Sequence, residues 1–305
     1  MYIIDLHCDT LTNLKRADEF RVNKHHIDLQ KLMRGGCLAQ CFAIYIPKSN
    51  SRNEFTYFND YCNLFYGIIN KNKRYILPAV SAKGIDYNKS KNKMSAILTV
   101  EDGDLLGGDL RKLDHLANCG VKIITFTWNE ENCLGYPHTY QGEKYGLKPF
   151  GIEALEQMNA YKIIPDVSHL SVAGFWDVVK YSKSPFIASH SCANSLHRHT
   201  RNLTDPQLKA IGNCGGVVGI NFYAQFLNGG NLTMADDIIR HIEKIVNTAG
   251  IDAAALGSDF DGIDCMLEFE NYSGYQVLAY KISKKFGSDN AEKICYKNAL
   301  RILNG

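Results

Sequence analysis

The sequence predicts a closed (β/α)₈ TIM barrel, an α/β fold. Three observations carry the barrel. Short apolar runs rich in β-branched residues alternate with longer amphipathic stretches, the βαβ pattern of a parallel sheet. About eight such units occur, the count at which a parallel sheet closes on itself. The runs are apolar almost throughout, as strands covered on both faces must be.

Taken in order, Tyr2–His7 is the first strand. Cys37–Ile46 is the second and leads to a long aromatic-rich helix over Phe55–Ile69. Ser95–Glu101 is the third; the following helix, Asp109–Ala117, sets Leu110, Leu113 and Leu116 on one face. Val121–Thr127 and the helix Gly151–Tyr161 make the fourth unit. Ile163–His169 is next, and Ser171 stands as N-cap of the helix Val172–Tyr181. Phe186–His190 precedes the helix Asp205–Gly212, where Thr204, Pro206 and Gln207 read as a capped first turn. Gly216–Asn221 with Met234–Thr248, then Ala254–Asp259 with Tyr275–Phe286 and Asn290–Leu303, complete the set. Gly120 and Gly250 each end a helix just before a strand, as a C′ glycine would. An open doubly wound sheet is the structural rival, but no GxGxxG follows the first strand to support a dinucleotide fold. No Pro- or Ser-rich linker divides the chain, so residues 1–305 are expected to form a single catalytic barrel.

Composition excludes several classes. With 45% hydrophobic and 22% charged residues and a net charge of +2, the chain reads as an ordinary globular protein with no basic face for nucleic acid. The N-terminus has no basic region followed by an apolar stretch, and no apolar run approaches the ~20 residues that span a bilayer. The C-terminal segment Arg301–Gly305 carries no apolar tail. The expectation is a cytoplasmic protein with neither membrane nor nucleic acid as partner. The 10 cysteines form no CxxC pair and are expected as reduced thiols, not as a zinc–cysteine site.

Chemistry gathers where the predicted strands end, the rim that carries barrel active sites. The first ends in His7-Cys8-Asp9, the third in Glu101-Asp102, the fifth in Asp166-Val167-Ser168-His169, the sixth in Ser189-His190-Ser191 and the eighth in Asp259-Phe260-Asp261-Gly262. On a strand, His7 and Asp9 share a face. With Glu101, His169 and His190 they make a set of imidazoles and carboxylates that suits two zinc ions about 3.5–4 Å apart, sharing a carboxylate. Such a pair would hold a bridging water for attack on a carbonyl, with Asp259 carrying the proton to the leaving nitrogen. Singly, each residue also has a plain reading: an N-cap for Asp9, a salt bridge for Glu101, an Asp-Gly turn for Asp259, a hydrogen-bonded histidine for His190. Arg201, in the long polar loop after the sixth strand, is a candidate clamp for a substrate carboxylate or a surface arginine. His197 and His199 read as solvated loop residues.

At these residues the chain resembles the membrane (renal) dipeptidase family, zinc peptidase family M19, over nearly its whole length. Asp5-Leu6-His7-Cys8-Asp9 resembles the family's D-x-H-x-D opening, Gly35-Gly36-Cys37-Leu38-Ala39-Gln40 its G-G-x-x-A-Q strand, and Val100-Glu101-Asp102-Gly103 its E-D-G segment. Asp166-Val167-Ser168-His169 resembles D-x-S/A-H, Ser189-His190-Ser191 with Arg201-Asn202 resembles S-H-S followed by R-N, and Gly257–Gly262 resembles G-x-D-F-D-G. The resemblance implies that His7 and Asp9 bind one zinc, His169 and His190 the other, and that Glu101 bridges them. It implies that Arg201 holds the substrate carboxylate and Asp259 moves the proton. It also implies a barrel of the metal-dependent hydrolase (amidohydrolase-like) type, and a homodimer acting on dipeptides, including L,D-dipeptides, and on β-lactam-like amides.

One departure stands out. Mammalian members carry a substrate-contacting histidine after the fourth strand; here Trp128 takes that place, as in the bacterial branch, with Asn129 beside it and His138 in the next loop. Trp128 is expected as a pocket wall, and Asn129 or His138 as a donor to the developing oxyanion. Two other readings stay open: a metal-dependent amidohydrolase of another small amide or lactam, and a peptide-binding relative without turnover.

Overall fold

The structure is a computed structural model in which residues 1–47 and 53–304 are described. The eight barrel strands are β1 Ile3–Asp5, β2 Cys37–Tyr45, β3 Met94–Glu101, β4 Val121–Thr125, β5 Ile164–Asp166, β6 Ile187–Ser191, β7 Val217–Ile220 and β8 Ala254–Leu256. All pair in parallel in the order β2-β1-β8-β7-β6-β5-β4-β3, and β3 returns to pair with β2 from Ala39↔Ser95 to Tyr45↔Glu101, closing the ring. The predicted barrel is therefore the observed one. Ile76–Pro78 adds a short strand beside the start of β3, and Leu232–Thr233 pairs with Met266–Leu267 away from the barrel.

Inside the ring, Ile4, Leu38, Ile97, Ile123, Ile187 and Ala255 pack on one another, and Ile302 and Leu303 join them from the C-terminal helix. Outside it, the apolar faces of the helices complete a second core against the strands. Ser171 caps its helix by accepting from Gly174 N at 3.0 Å, and Gln207 Oε1 accepts from Thr204 N at 2.9 Å. Gly120 and Gly250 have positive φ, +78° and +93°, which favours glycine there. All ten cysteines are free.

The last predicted helix is not continuous. A π-helical turn, Lys293–Lys297, separates Ser288–Glu292 from Asn298–Ile302. Asn298 then points inward and donates to the carbonyls of Ile251 and Ala254, both at 2.8 Å, tying this helix to the start of β8.

Several strands also stop two or three residues earlier than predicted. Asp5 Oδ1 accepts from His7 N at 3.3 Å and Ser258 N at 2.9 Å; Asp166 Oδ1 accepts from Ser168 N and Ser189 N, both at 2.9 Å. These two buried carboxylates take the backbone N–H groups that a longer ladder would have used. The residues beyond are thus freed to turn their side chains over the barrel mouth.

Buried His241 anchors the loop after β6. Its Nδ1 accepts from Ala193 N at 3.1 Å, so the other nitrogen, Nε2, carries the hydrogen that meets Leu227 O at 2.9 Å. Burial holds its pKa down at about 4. The unfolded chain, with a pKa of about 6.5, therefore binds the proton first. Stability from this residue is full above about pH 6.5 and is lost as pH falls toward 4. The thermal midpoint is expected to fall more steeply between pH 7 and 4.5 in the wild type than in His241→Gln; equal slopes would contradict this assignment.

Candidate metal centre

The side chains singled out at five strand ends meet at one point. His7 Nε2 lies 3.5 Å from Asp9 Oδ2, 3.5 Å from Glu101 Oε2 and 3.8 Å from Asp259 Oδ1. The other Glu101 oxygen, Oε1, lies 3.1 Å from His169 Nε2 and 3.5 Å from His190 Nε2. The two Nε2 atoms are 3.0 Å apart. Glu101 thus stands between two half-sites, offering one oxygen to each. All six side chains are largely buried.

Hydrogen bonding sets the tautomers. Ser189 Oγ donates to Asp166 Oδ2 at 2.5 Å, which leaves it to accept from His190 Nδ1 at 2.7 Å. The lone pair of His190 is then on Nε2, facing Glu101. Asn129 Oδ1 lies 2.8 Å from His169 Nδ1 and orients that ring in the same way. An acceptor that holds the second ring nitrogen is the usual support of a metal-ligating histidine.

Charge explains what the site lacks on its own. Burial opposes ionisation of Glu101, but His7, His169 and His190 outweigh it and hold the carboxyl well below its usual range. Burial likewise works against a charged His7, yet Glu101 and Asp9 push its pKa well above normal. Burial keeps His169 neutral, down at about 4, and lowers His190 as well. Burial raises Asp9 and Asp259, aided by the neighbouring Glu101. Three carboxylates therefore crowd one imidazole, while two neutral imidazoles aim lone pairs at the same spot. His7 Nε2 and Asp9 Oδ1 are buried with no hydrogen-bond partner. Orphaned donors and acceptors, hard carboxylates and imidazoles fit divalent-metal binding.

Gly262 is part of the cradle. A Cβ there would overlap Asp9 Oδ2 and Asp259 Oδ1. Gly262→Ala is expected to weaken divalent-ion binding by roughly the 10- to 100-fold seen when ligand supports are disturbed. Competition with a chromophoric chelator measures this, and wild-type affinity would contradict it.

The site floors a cavity of about 350 Å³ walled by Tyr45, Trp128, Asn129, Tyr223 and Phe226. Trp128 packs edge-on against Tyr45, with ring centroids 5.0 Å apart. Asp259 accepts from Asn221 Nδ2 at 2.9 Å and has its backbone in the left-handed region, φ +64°. Arg201 is not a surface residue: it is 4% exposed, donates to His190 O at 3.0 Å and Ser191 Oγ at 3.3 Å, and has an unpartnered Nε. Its guanidinium carbon lies 5.5 Å from the centroid of Phe226, one of the cavity-wall rings. His199 is half-buried: its Nδ1 accepts from Arg201 N at 3.1 Å and its ring packs on Phe226. Asn129 turns its oxygen toward His169 Nδ1 and His138 Nε2, bonds in which its Nδ2 donors take no part.

Sequence reading missed the supporting residues: Asp5, Ser189, Asn221, Ser258 and the Asp261 carboxylate that joins Thr10 and His26. The signal for some was present, since Asp5-Leu6-His7 and Asp166-Val167-Ser168 repeat one strand-end pattern.

Comparison with known proteins agrees with this geometry. The family described as Membrane dipeptidase (Peptidase family M19) matches residues 1–305. An uncharacterized protein in the pqqA 5′ region of Klebsiella pneumoniae is 35% identical over 235 residues, 73% of this chain and 86% of that protein. The crystal structure of dipeptidase AC, a metallopeptidase of family M19, superposes with a TM-score of 0.93 at 25% identity, covering 99% of this chain and 98% of that one. A metallopeptidase from Rhodobacter sphaeroides, liganded with a phosphinate mimic of the dipeptide L-Ala-D-Ala, shares the fold with a TM-score of 0.87 at 24% identity, covering 99% and 98%.

Proposed function

Because this chain belongs to the membrane dipeptidase family, peptidase family M19, a class of metallodipeptidases, we propose that it is a zinc enzyme that hydrolyses the amide bond of dipeptides, L,D-dipeptides among them. His7 and Asp9 would hold one ion, His169 and His190 the other, and Glu101 both. The observation that carries this reading is the division of Glu101, one oxygen toward His7 and the other toward His169 and His190. The imidazole–carboxylate donor set favours zinc. The L-Ala-D-Ala mimic bound by the Rhodobacter sphaeroides neighbour supports counting L,D-dipeptides among the substrates.

When bound, such an ion pair supplies Lewis acidity at the scissile carbonyl and a nucleophilic water at neutral pH. The remaining work falls to side chains. Asp259, buried beside Asp9 and Glu101 and steadied by Asn221, takes a proton at Oδ1 and delivers it to the leaving amine. Trp128 and Tyr45 wall the cavity and limit water. Arg201 supplies the positive charge that attracts the C-terminal carboxylate of the substrate.

Arg201→Ala is expected to remove about 1.5–3 kcal/mol of binding, a roughly 10- to 100-fold rise in KM for dipeptides. C-terminal dipeptide amides, which lack the carboxylate, should show a much smaller change; equal losses for both would contradict the clamp. The function itself is tested with L,L- and L,D-dipeptides and small lactams, with and without chelator. Dipeptide cleavage that a chelator stops and zinc restores is expected. Cleavage of lactams alone would move the activity to another amide.

A further inference from the structure

The loop that follows β4 reaches back over the site and meets it through one amide. Asn129 Oδ1 lies 2.8 Å from His169 Nδ1 and 3.1 Å from His138 Nε2, and His138 Nδ1 lies 2.7 Å from Thr200 Oγ1. An amide oxygen only accepts, so both ring nitrogens facing it carry hydrogen. His138 is then left with a lone pair on Nδ1, which accepts a hydrogen bond from the Thr200 hydroxyl. His169 is left with a lone pair on Nε2, which faces Glu101 and His190. The two ring N–H groups and the Thr200 hydroxyl each then have an acceptor.

The same loop also holds His169 by its backbone. His169 has φ +66°, a left-handed conformation that non-glycine residues adopt at some cost. Its carbonyl accepts from His138 N at 2.7 Å and from Thr127 Oγ1 at 3.3 Å, and the next residues are pinned by Ser171 N to Tyr136 O at 2.9 Å.

We propose that His138 and Thr200 are positioning residues that fix Asn129, and through it the tautomer and orientation of His169, so that loops after β4 and β6 jointly set occupancy of the His169–His190 half-site. This rests on the two-ion reading given above. The arrangement gives Asn129 a purpose other than oxyanion binding. It also leaves the half-site of His7 and Asp9 outside the network, which runs from Thr200 through His138 and Asn129 to His169. An Asn129 rotated end for end would instead donate to both rings and put the His169 hydrogen on Nε2, pointing it at Glu101; the two arrangements predict opposite effects of a carboxylate at this position.

The test is titration of metal-free protein with zinc against a chromophoric chelator, in the wild type, Asn129→Leu, Asn129→Asp, His138→Phe and Thr200→Val. Cobalt(II) titration of the same set reads ligand geometry by its visible spectrum. Asn129→Leu is expected to weaken one of the two ions roughly 10- to 100-fold and leave the other unchanged. Asn129→Asp should rescue that loss, because a carboxylate still accepts from both rings. His138→Phe should weaken the same ion less, Thr200→Val least, each with an altered cobalt spectrum. Thr200→Val, farthest from the ligands, keeps the series readable if a closer variant folds poorly.

If His138→Phe and Thr200→Val bind both ions as the wild type does, with unchanged spectra, the positioning role is overturned and the metal-centre reading stands. Asn129→Asp failing as badly as Asn129→Leu would also overturn it. A wild type that takes up no zinc or cobalt would overturn the two-ion reading and this inference together.

Discussion

Glu101→Gln is expected to lower affinity for the metal pair by about 3–5 kcal/mol, roughly 10²- to 10⁴-fold, the cost of removing one partner from a buried ionic cluster. Dipeptide hydrolysis should fall with occupancy. The effect is large because both half-sites draw on the same side chain, one through each oxygen. The variant has a second signature. Without metal, burial is outweighed by His7, His169 and His190, which hold the Glu101 carboxyl well below its usual range, so the ionised side chain stabilises the fold at neutral pH. The metal-free variant should therefore be less stable than the metal-free wild type. The rise in thermal midpoint on adding zinc, which follows from binding to the folded state alone, should be largely lost. Thermal melts with and without zinc measure both arms. A variant with a wild-type zinc-induced rise would contradict the bridging role.

Asp259→Asn separates turnover from binding. The amide has nearly the shape of the acid and retains an oxygen for the Asn221 donor, but it cannot take up and release a proton. Both ions should stay bound while kcat drops roughly 10²- to 10⁴-fold, the usual contribution of a positioned general acid–base group. The backbone should accept the change, because φ is +64° and asparagine tolerates that region as well as aspartate. Metal analysis beside steady-state kinetics decides the matter. Full turnover with both ions present would remove Asp259 from proton transfer; loss of an ion would make it a ligand.

Much of the site could be read from the sequence because barrel topology gathers strand ends. His7, Asp9, Glu101, His169, His190 and Asp259 are spread over more than 250 residues, yet each terminates an apolar run, and closure of the sheet brings them together. What stayed hidden depends on contacts that no local pattern records. Asp5 looks like one more residue of a strand, but its carboxylate ends that strand by bonding Ser258 N, and Tyr275 OH joins it at 2.9 Å from a later helix. Arg201 reads as a loop arginine because nothing nearby in sequence announces that His190 O and Phe226 enclose it. The π-turn before Asn298 is likewise set by carbonyls more than forty residues earlier. Left-handed backbone at His169 and Asp259 was equally invisible, although histidine and aspartate are among the residues that adopt it most readily.

The most direct test of the two-ion dipeptidase is stepwise zinc titration of the metal-free protein while hydrolysis of an L,D-dipeptide is followed. Activity should climb until two equivalents are bound and then level off, since Glu101 ties the two half-sites into one centre. A plateau at one equivalent, or hydrolysis that proceeds with no metal bound, would contradict it.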